Sequence, residues 1–219
     1  MRIPLPLNFD PPKPLTIYDY QDISVVFSID SVQSFLFNFT PIIPQGWRLQ
    51  KTIISSNCST FCFQNLRITL EKKQVSFSGK ISQFSPEIEA VIDKFFLNYI
   101  KPRNQTTLLV FRRLVSIPGK SGVAGNFIRQ TVLKFPEDRW QIRGQRPKKI
   151  LLNFAYQLEE KKVTISLIDG DLKREKQQHS CLLFKGVAQP EGVADLMGVC
   201  HEYHRWFNQI VNKDFLGCV

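Results

Sequence analysis

The sequence predicts an α+β fold: two tandem strand-helix-antiparallel strands-helix repeats forming one curved antiparallel sheet, with helices packed on one face. Three observations carry this. Trp47-Arg48-Leu49-Gln50-Lys51 reappears as Trp140-Gln141-Ile142-Arg143-Gly144. Leu70-Glu71-Lys72-Lys73-Gln74-Val75-Ser76-Phe77 reappears as Leu158-Glu159-Glu160-Lys161-Lys162-Val163-Thr164-Ile165. The elements around these markers also recur in the same order, and a recurring order makes each copy one supersecondary unit folded against its partner. The expected organisation is an extended Pro-rich arm at 1–21, repeat one at 22–104 and repeat two at 105–219, together one compact unit.

Each element has a local reason. Pro4, Pro6, Pro11, Pro12 and Pro14 forbid a helix in the arm. Ile23, Val25, Phe27 and Ile29 alternate as in a half-buried strand, and Val32, Phe35, Leu36 and Phe39 follow at helical spacing, with Asp30 or Ser31 as N-cap. After Trp47 come Phe61 and Phe63, then Leu66, Ile68 and Leu70, then Val75 and Phe77, short alternating strands whose charged turn at 71–74 closes a hairpin. Ser85-Pro86 starts a helix whose apolar stripe is Ile88, Val91, Ile92, Phe95, Phe96, Tyr99 and Ile100, and Pro102 stops it.

The second half repeats the pattern. Leu108 to Ile117 is a strand. Val123, Phe127, Ile128 and Phe135 make a weaker helix, because Gly122 and Gly125 lower helical propensity. Ile150, Leu152, Phe154, Tyr156 and Leu158 alternate, as do Val163, Ile165 and Leu167 beyond a charged turn at 159–162. An extra strand runs from Cys181 to Val187. Val193, Leu196, Cys200, Tyr203, Phe207, Ile210 and Val211 form the closing helical stripe after Pro190.

Over roughly residues 22 to 215 this order is similar to the repeat of the TATA-binding-protein-like fold. The resemblance is carried by topology and by no residue motif of that family, and it implies two units joined in one saddle-shaped sheet with helices on its convex side. A START-like helix-grip fold would account for residues 191–215 but not for the duplication. The tandem ferredoxin-like arrangement of CRISPR RNA-processing endonucleases suits size and charge but needs a glycine-rich C-terminal loop, where this tail has only Gly192, Gly198 and Gly217. A shared fold does not transmit function.

Charge points to a partner. The formal net charge is +10, and the halves differ: residues 1–104 hold 11 basic and 8 acidic groups, residues 105–219 hold 18 and 11. Arg139, Arg143, Arg146, Lys148 and Lys149 cluster around Trp140, with Arg112 and Arg113 on a strand of the same unit. Guanidinium and ammonium groups neutralise phosphates and release counterions. These seven residues are therefore the candidate nucleic-acid-binding set. Trp140, repeated as Trp47 while the charge around it is not, is expected to be core rather than a stacking ring.

The search for chemistry is nearly empty. Pro118-Gly119-Lys120-Ser121-Gly122 lacks the earlier glycine of a P-loop, since position 114 is Leu. His201 and His204 are three apart, where the zincin motif needs four, and no metal or cofactor is expected. Cys58, Cys62, Cys181, Cys200 and Cys218 make an odd set that fits reduced thiols, and the sequons at Asn38, Asn57 and Asn104 are taken as chance without a secretory signal. The expected protein is a cytoplasmic, non-enzymatic module binding nucleic acid or another polyanion through its second repeat. The alternatives are a protein-interaction or assembly factor using the open sheet face, a START-like carrier of small molecules, and a metal-independent RNA endonuclease.

Overall fold

The computed structural model describes residues 19–29, 41–99, 106–117, 122–134, 149–158, 161–174, 177–190 and 195–217. Its strands are β1 (Asp19–Ser28), β2 (Lys51–Ile54), β3 (Cys58–Cys62), β4 (Arg67–Glu71), β5 (Gln74–Lys80), β6 (Thr107–Ile117), β7 (Leu151–Leu158), β8 (Lys161–Arg174) and β9 (Gln177–Ala188). Its α-helices are α1 (Pro86–Tyr99), α2 (Val123–Phe127) and α3 (Leu196–Ile210), and π-helical turns at Ile128–Val132 and Val211–Leu216 extend the last two. All nine strands belong to one antiparallel sheet, in the order β2-β3-β4-β5-β1-β6-β9-β8-β7. The fold is therefore α+β, as expected. No described helix is long and apolar enough to cross a membrane.

By proximity the chain partitions into two compact units. One comprises Gln21–Arg113, Leu151–Leu167 and Phe184–Val219; the other comprises Met1–Tyr20, Leu114–Ile150 and Ile168–Leu183.

In the larger unit the strands alternate as their sequences require. Ile23, Val25 and Phe27 on β1, Ile68 and Leu70 on β4, and Val75 and Phe77 on β5 are buried. Register places Val25 opposite Phe77 and Phe77 opposite Ile68, so these side chains share one face. Helix α1 covers that face: Phe95 meets Phe77 edge-on at 5.4 Å and Phe96 meets Phe27 at 4.6 Å. Helix α3 packs on the same side, its Phe207 stacked on Phe111 of β6 at 5.8 Å. Asp195 caps α3 by accepting the Gly198 N–H at 2.8 Å, and Gly217, at φ +66°, ends the π turn in the left-handed conformation that a side chain disfavours. Phe215 in that turn reaches Phe154 of β7 and Phe184 of β9.

In the smaller unit α2 is short, and its glycines have reasons. Gly122 adopts φ +88° ahead of the helix. A Cβ on Gly125 would come within 3.1 Å of the Asp169 carboxylate. Ser180 Oγ accepts the Ala124 N–H at 2.9 Å, and Asp169 Oδ1 accepts the Ile150 N–H at 2.6 Å, which ties the approach to β7 to β8.

Several expectations need comment. The helix expected over Val32–Phe39 lies outside the described residues, as do Trp140, Lys120 and Ser121. Trp47 is described and half-buried, in the loop before β2 rather than in the core. Strand β2 itself carried no alternation signal, because all four of its side chains are exposed.

Candidate polyanion interface

The face of the larger unit opposite the helices follows from the same alternation. Residues directly opposite one another on antiparallel strands share a face, so a row can be traced across the sheet. One row runs Lys51, Cys62, Arg67, Ser78, Ser24; the next runs Ile53, Thr60, Thr69, Ser76, Val26. The helix-facing row between their positions is Thr52, Phe61, Ile68, Phe77, Val25. One side of the sheet is apolar, and the other carries hydroxyls and cations.

The hydroxyl side is internally bonded. Ser24 Oγ lies 2.8 Å from Ser78 Oγ, and Thr60 Oγ1 lies 3.2 Å from Thr69 Oγ1. Arg112 extends the first row onto β6, donating from Nη2 to Ser24 Oγ at 2.9 Å and from Nε to Asp22 Oδ1 at 2.6 Å. Asp22 stands opposite Lys80 in register and is ion-paired to Arg112. Glu71, the other carboxylate on this side of the registered strands, accepts a hydrogen bond from Gln74 at 2.6 Å. Lys51, Arg67 and Lys80 are exposed.

Beyond β6 the pattern continues. Lys162, Thr164 and Ser166 alternate with buried Val163, Ile165 and Leu167 on β8, and Lys185 sits between buried Phe184 and Gly186 on β9. Ser166 Oγ donates to Asn153 Oδ1 of β7 at 2.7 Å. Hydroxyls accept and donate, and cations supply long-range attraction; together they suit phosphate or sulfate oxygens.

The structure separates the residues that sequence reasoning grouped. Arg112 lies on the polar face, paired with Asp22. Arg113, its neighbour, points to the opposite face because successive strand residues alternate. It is buried, and its Nη1 donates to Asn212 Oδ1 at 2.7 Å and to Asn208 Oδ1 at 3.4 Å, which makes it a brace for α3 and removes it from the interface. Lys149 is exposed just before β7. Arg139, Arg143, Arg146 and Lys148 lie outside the described residues.

Lys51, Arg67, Lys80 and their hydroxyl neighbours were missed because charge was summed by halves. Residues 41–84 contain six cations (Arg48, Lys51, Arg67, Lys72, Lys73, Lys80) against Glu71 alone, a formal +5, whereas α1 carries Glu87, Glu89 and Asp93 against Lys94. The halves average the two. Counting charge by strand and helix would have found it.

Among the described residues no group of three or more His, Cys, Asp or Glu side chains is arranged to bind a metal ion. His201 is exposed, and His204 Nε2 lies 2.9 Å from Gln21 Oε1 and 3.0 Å from Asn208 Nδ2, inside a polar contact of α3 with β1. Cys200 is buried, and that burial, with Glu89 and Asp195 nearby, pushes its thiol up to about 12, away from any nucleophilic role. Neither protein-family models nor curated proteins give a match to this chain.

Proposed function

We propose that the protein is a non-enzymatic module that binds nucleic acid or another polyanion, and that the hydroxyl-and-cation side of the larger unit is the surface that does so. The observation that carries this reading is the register: it aligns Lys51, Arg67, Ser78 and Ser24 in one row, which the hydrogen bond of Arg112 to Ser24 extends onto β6, with the salt-bridged Asp22 beside it. The outward positions in register across β1 to β5 bear no aromatic ring, Tyr20 lying beyond the register at the start of β1, which favours contact with phosphates over stacking on bases.

Strand order supports a duplication, but one shifted by a strand from the sequence markers, which lie on β4–β5 and on β7–β8. β1 and β6 are neighbours, and each is flanked on its other side by the last strand of its own half, β5 or β9. We read this as two repeats arranged about the β1–β6 junction, the topology of the TATA-binding-protein-like fold; among the described residues the second copy has one strand fewer, and β9, expected from sequence to be extra, answers to β5.

The test is salt-dependent affinity for duplex and single-stranded oligonucleotides and for heparin. Each phosphate contact contributes about 0.7–0.9 to the slope of log affinity against log salt. Replacing Lys51, Arg67 and Lys80 with Gln is expected to flatten that slope by up to about two to three units, as the removal of three contacts requires. Replacing Arg143, Arg146, Lys148 and Lys149 with Gln tests the second-repeat cluster separately. A parent protein with no affinity at low salt overturns the reading.

A further inference from the structure

Among the described residues the sheet ends at β2, and this edge is unlike the polar face. Hydrogen bonding fixes which backbone groups it offers. Ser55 N–H donates to the Cys58 carbonyl at 2.9 Å across a two-residue turn, so 55 and 58 form a hydrogen-bonded pair. The antiparallel ladder alternates from there. Ile53 and Lys51 therefore bond inward to Thr60 and Cys62, their register partners, while the N–H and C=O of Thr52 and Ile54 point away from β3. The Phe63 N–H donates to the Leu66 carbonyl at 2.7 Å, which commits the alternate β3 residues to β4 and agrees with this assignment.

The side chains at the edge are apolar and exposed: Leu49 is 50% exposed, Ile53 46% and Ile54 74%. Sheet edges in monomeric proteins are normally blunted by charge, proline or bulges, because they template the addition of another strand. Here Lys51 is the strand's one charge, with Arg48 three residues before it and Arg67 two strands away in the same row.

We propose that the outer edge of β2 is a docking site for an extended segment of a partner protein that alternates acidic and apolar residues and adds to the sheet as a further strand. Backbone pairing with Thr52 and Ile54 supplies the attachment, Ile54 accepts apolar side chains on one face, and Lys51 on the other selects carboxylates. A second copy of this chain fits poorly, because two edges of a +10 protein repel.

Thr52→Pro isolates the edge: it deletes an N–H that points outward and leaves the bonds of Lys51 and Ile53 to β3 in place. The probe is a fluorescein-labelled synthetic peptide alternating glutamate and valine, followed by anisotropy against a lysine-valine peptide of equal length. Wild-type protein is expected to bind the acidic peptide at least about tenfold more tightly than the basic one, and Thr52→Pro to lose that binding while its far-UV circular dichroism and melting stay at parental values. Lys51→Glu, which keeps the edge backbone, is expected to reverse the preference. Undiminished binding by Thr52→Pro, or no binding up to about 1 mM peptide, overturns the proposal. So does a dimer seen by sedimentation that Thr52→Pro abolishes, since the occupant is then a second copy. Oligonucleotide affinity is expected to be unchanged in Thr52→Pro, which keeps this test separate from the polyanion reading.

Discussion

At the residue scale, environment separates side chains of one type. Burial lowers the His204 pKa below its usual 6.5, and the neighbouring His201 and Arg113 lower it further. The folded state thus holds that proton less tightly than the unfolded chain does. Stability is accordingly flat above the ordinary imidazole range, falls as pH drops through it, and levels off again below the folded-state pKa. His204→Gln should remove that component, so the loss of melting temperature between neutral and mildly acidic pH should be smaller in the variant; an equal loss would place the titration elsewhere. Cysteines divide the same way. Cys58 and Cys62 are half-exposed, while Cys181 and Cys200 are buried with raised pKa values, for Cys181 through burial and then Asp171 and Asp169. Iodoacetamide on the native protein should modify the first pair and spare the second, as peptide mass mapping would read. Of this, the sequence showed Cys200 in the apolar stripe of the closing helix; the polar contact of His204 and the burial of Cys181 depend on contacts between elements.

At the scale of elements, apolar stripes identified what packs. Most of the stripes read for α1 and α3 are buried: Ile88, Val91, Ile92 and Phe95 in one, Leu196, Cys200, Tyr203, Phe207 and Ile210 in the other, while Phe96 and Tyr99 are half-buried and Ile100 and Val193 lie outside the described residues. Phe95→Ala and Phe207→Ala should each cost about 3–5 kcal/mol, measured by denaturant unfolding; near-parental stability would mean the stripe does not anchor its helix. Gly186 was not singled out in sequence, yet a Cβ there would lie 2.7 Å from the Phe207 ring. Gly186→Ala is expected to destabilise by about 1–3 kcal/mol through overpacking, and Phe207→Leu in the same chain to recover part of the loss. Strand β2 stayed invisible because an edge strand exposed on both faces has no pattern of period two, and the shortness of α2 followed from glycines whose backbone and packing roles only the structure displays.

For the whole molecule, the sequence held enough to expect an α+β chain with antiparallel strands and closing helices, since those depend on local periodicity. Where the charge would lie it held only in part. Arg112 and Arg113 are adjacent in sequence and face opposite sides, and the basic row on β2, β4 and β5 is assembled by register between strands. The strand order implies that β1, β3–β5 and α1 superpose on β6, β7–β9 and α3, which puts Leu70 of β4 over β8 and not over Leu158 of β7 as the sequence markers expect; a superposition that fails on these strands would reduce the repeat to coincidence. The claim that matters most is that the polar side of the sheet receives phosphates. Amide chemical-shift mapping of the labelled protein, titrated with an oligonucleotide at low salt, tests it directly. The expected result is a contiguous set of perturbations over Ser24, Lys51, Arg67, Thr69, Ser76 and Ser78 that fades as salt is raised. Perturbations confined to residues 139–149, or none at all, would contradict it.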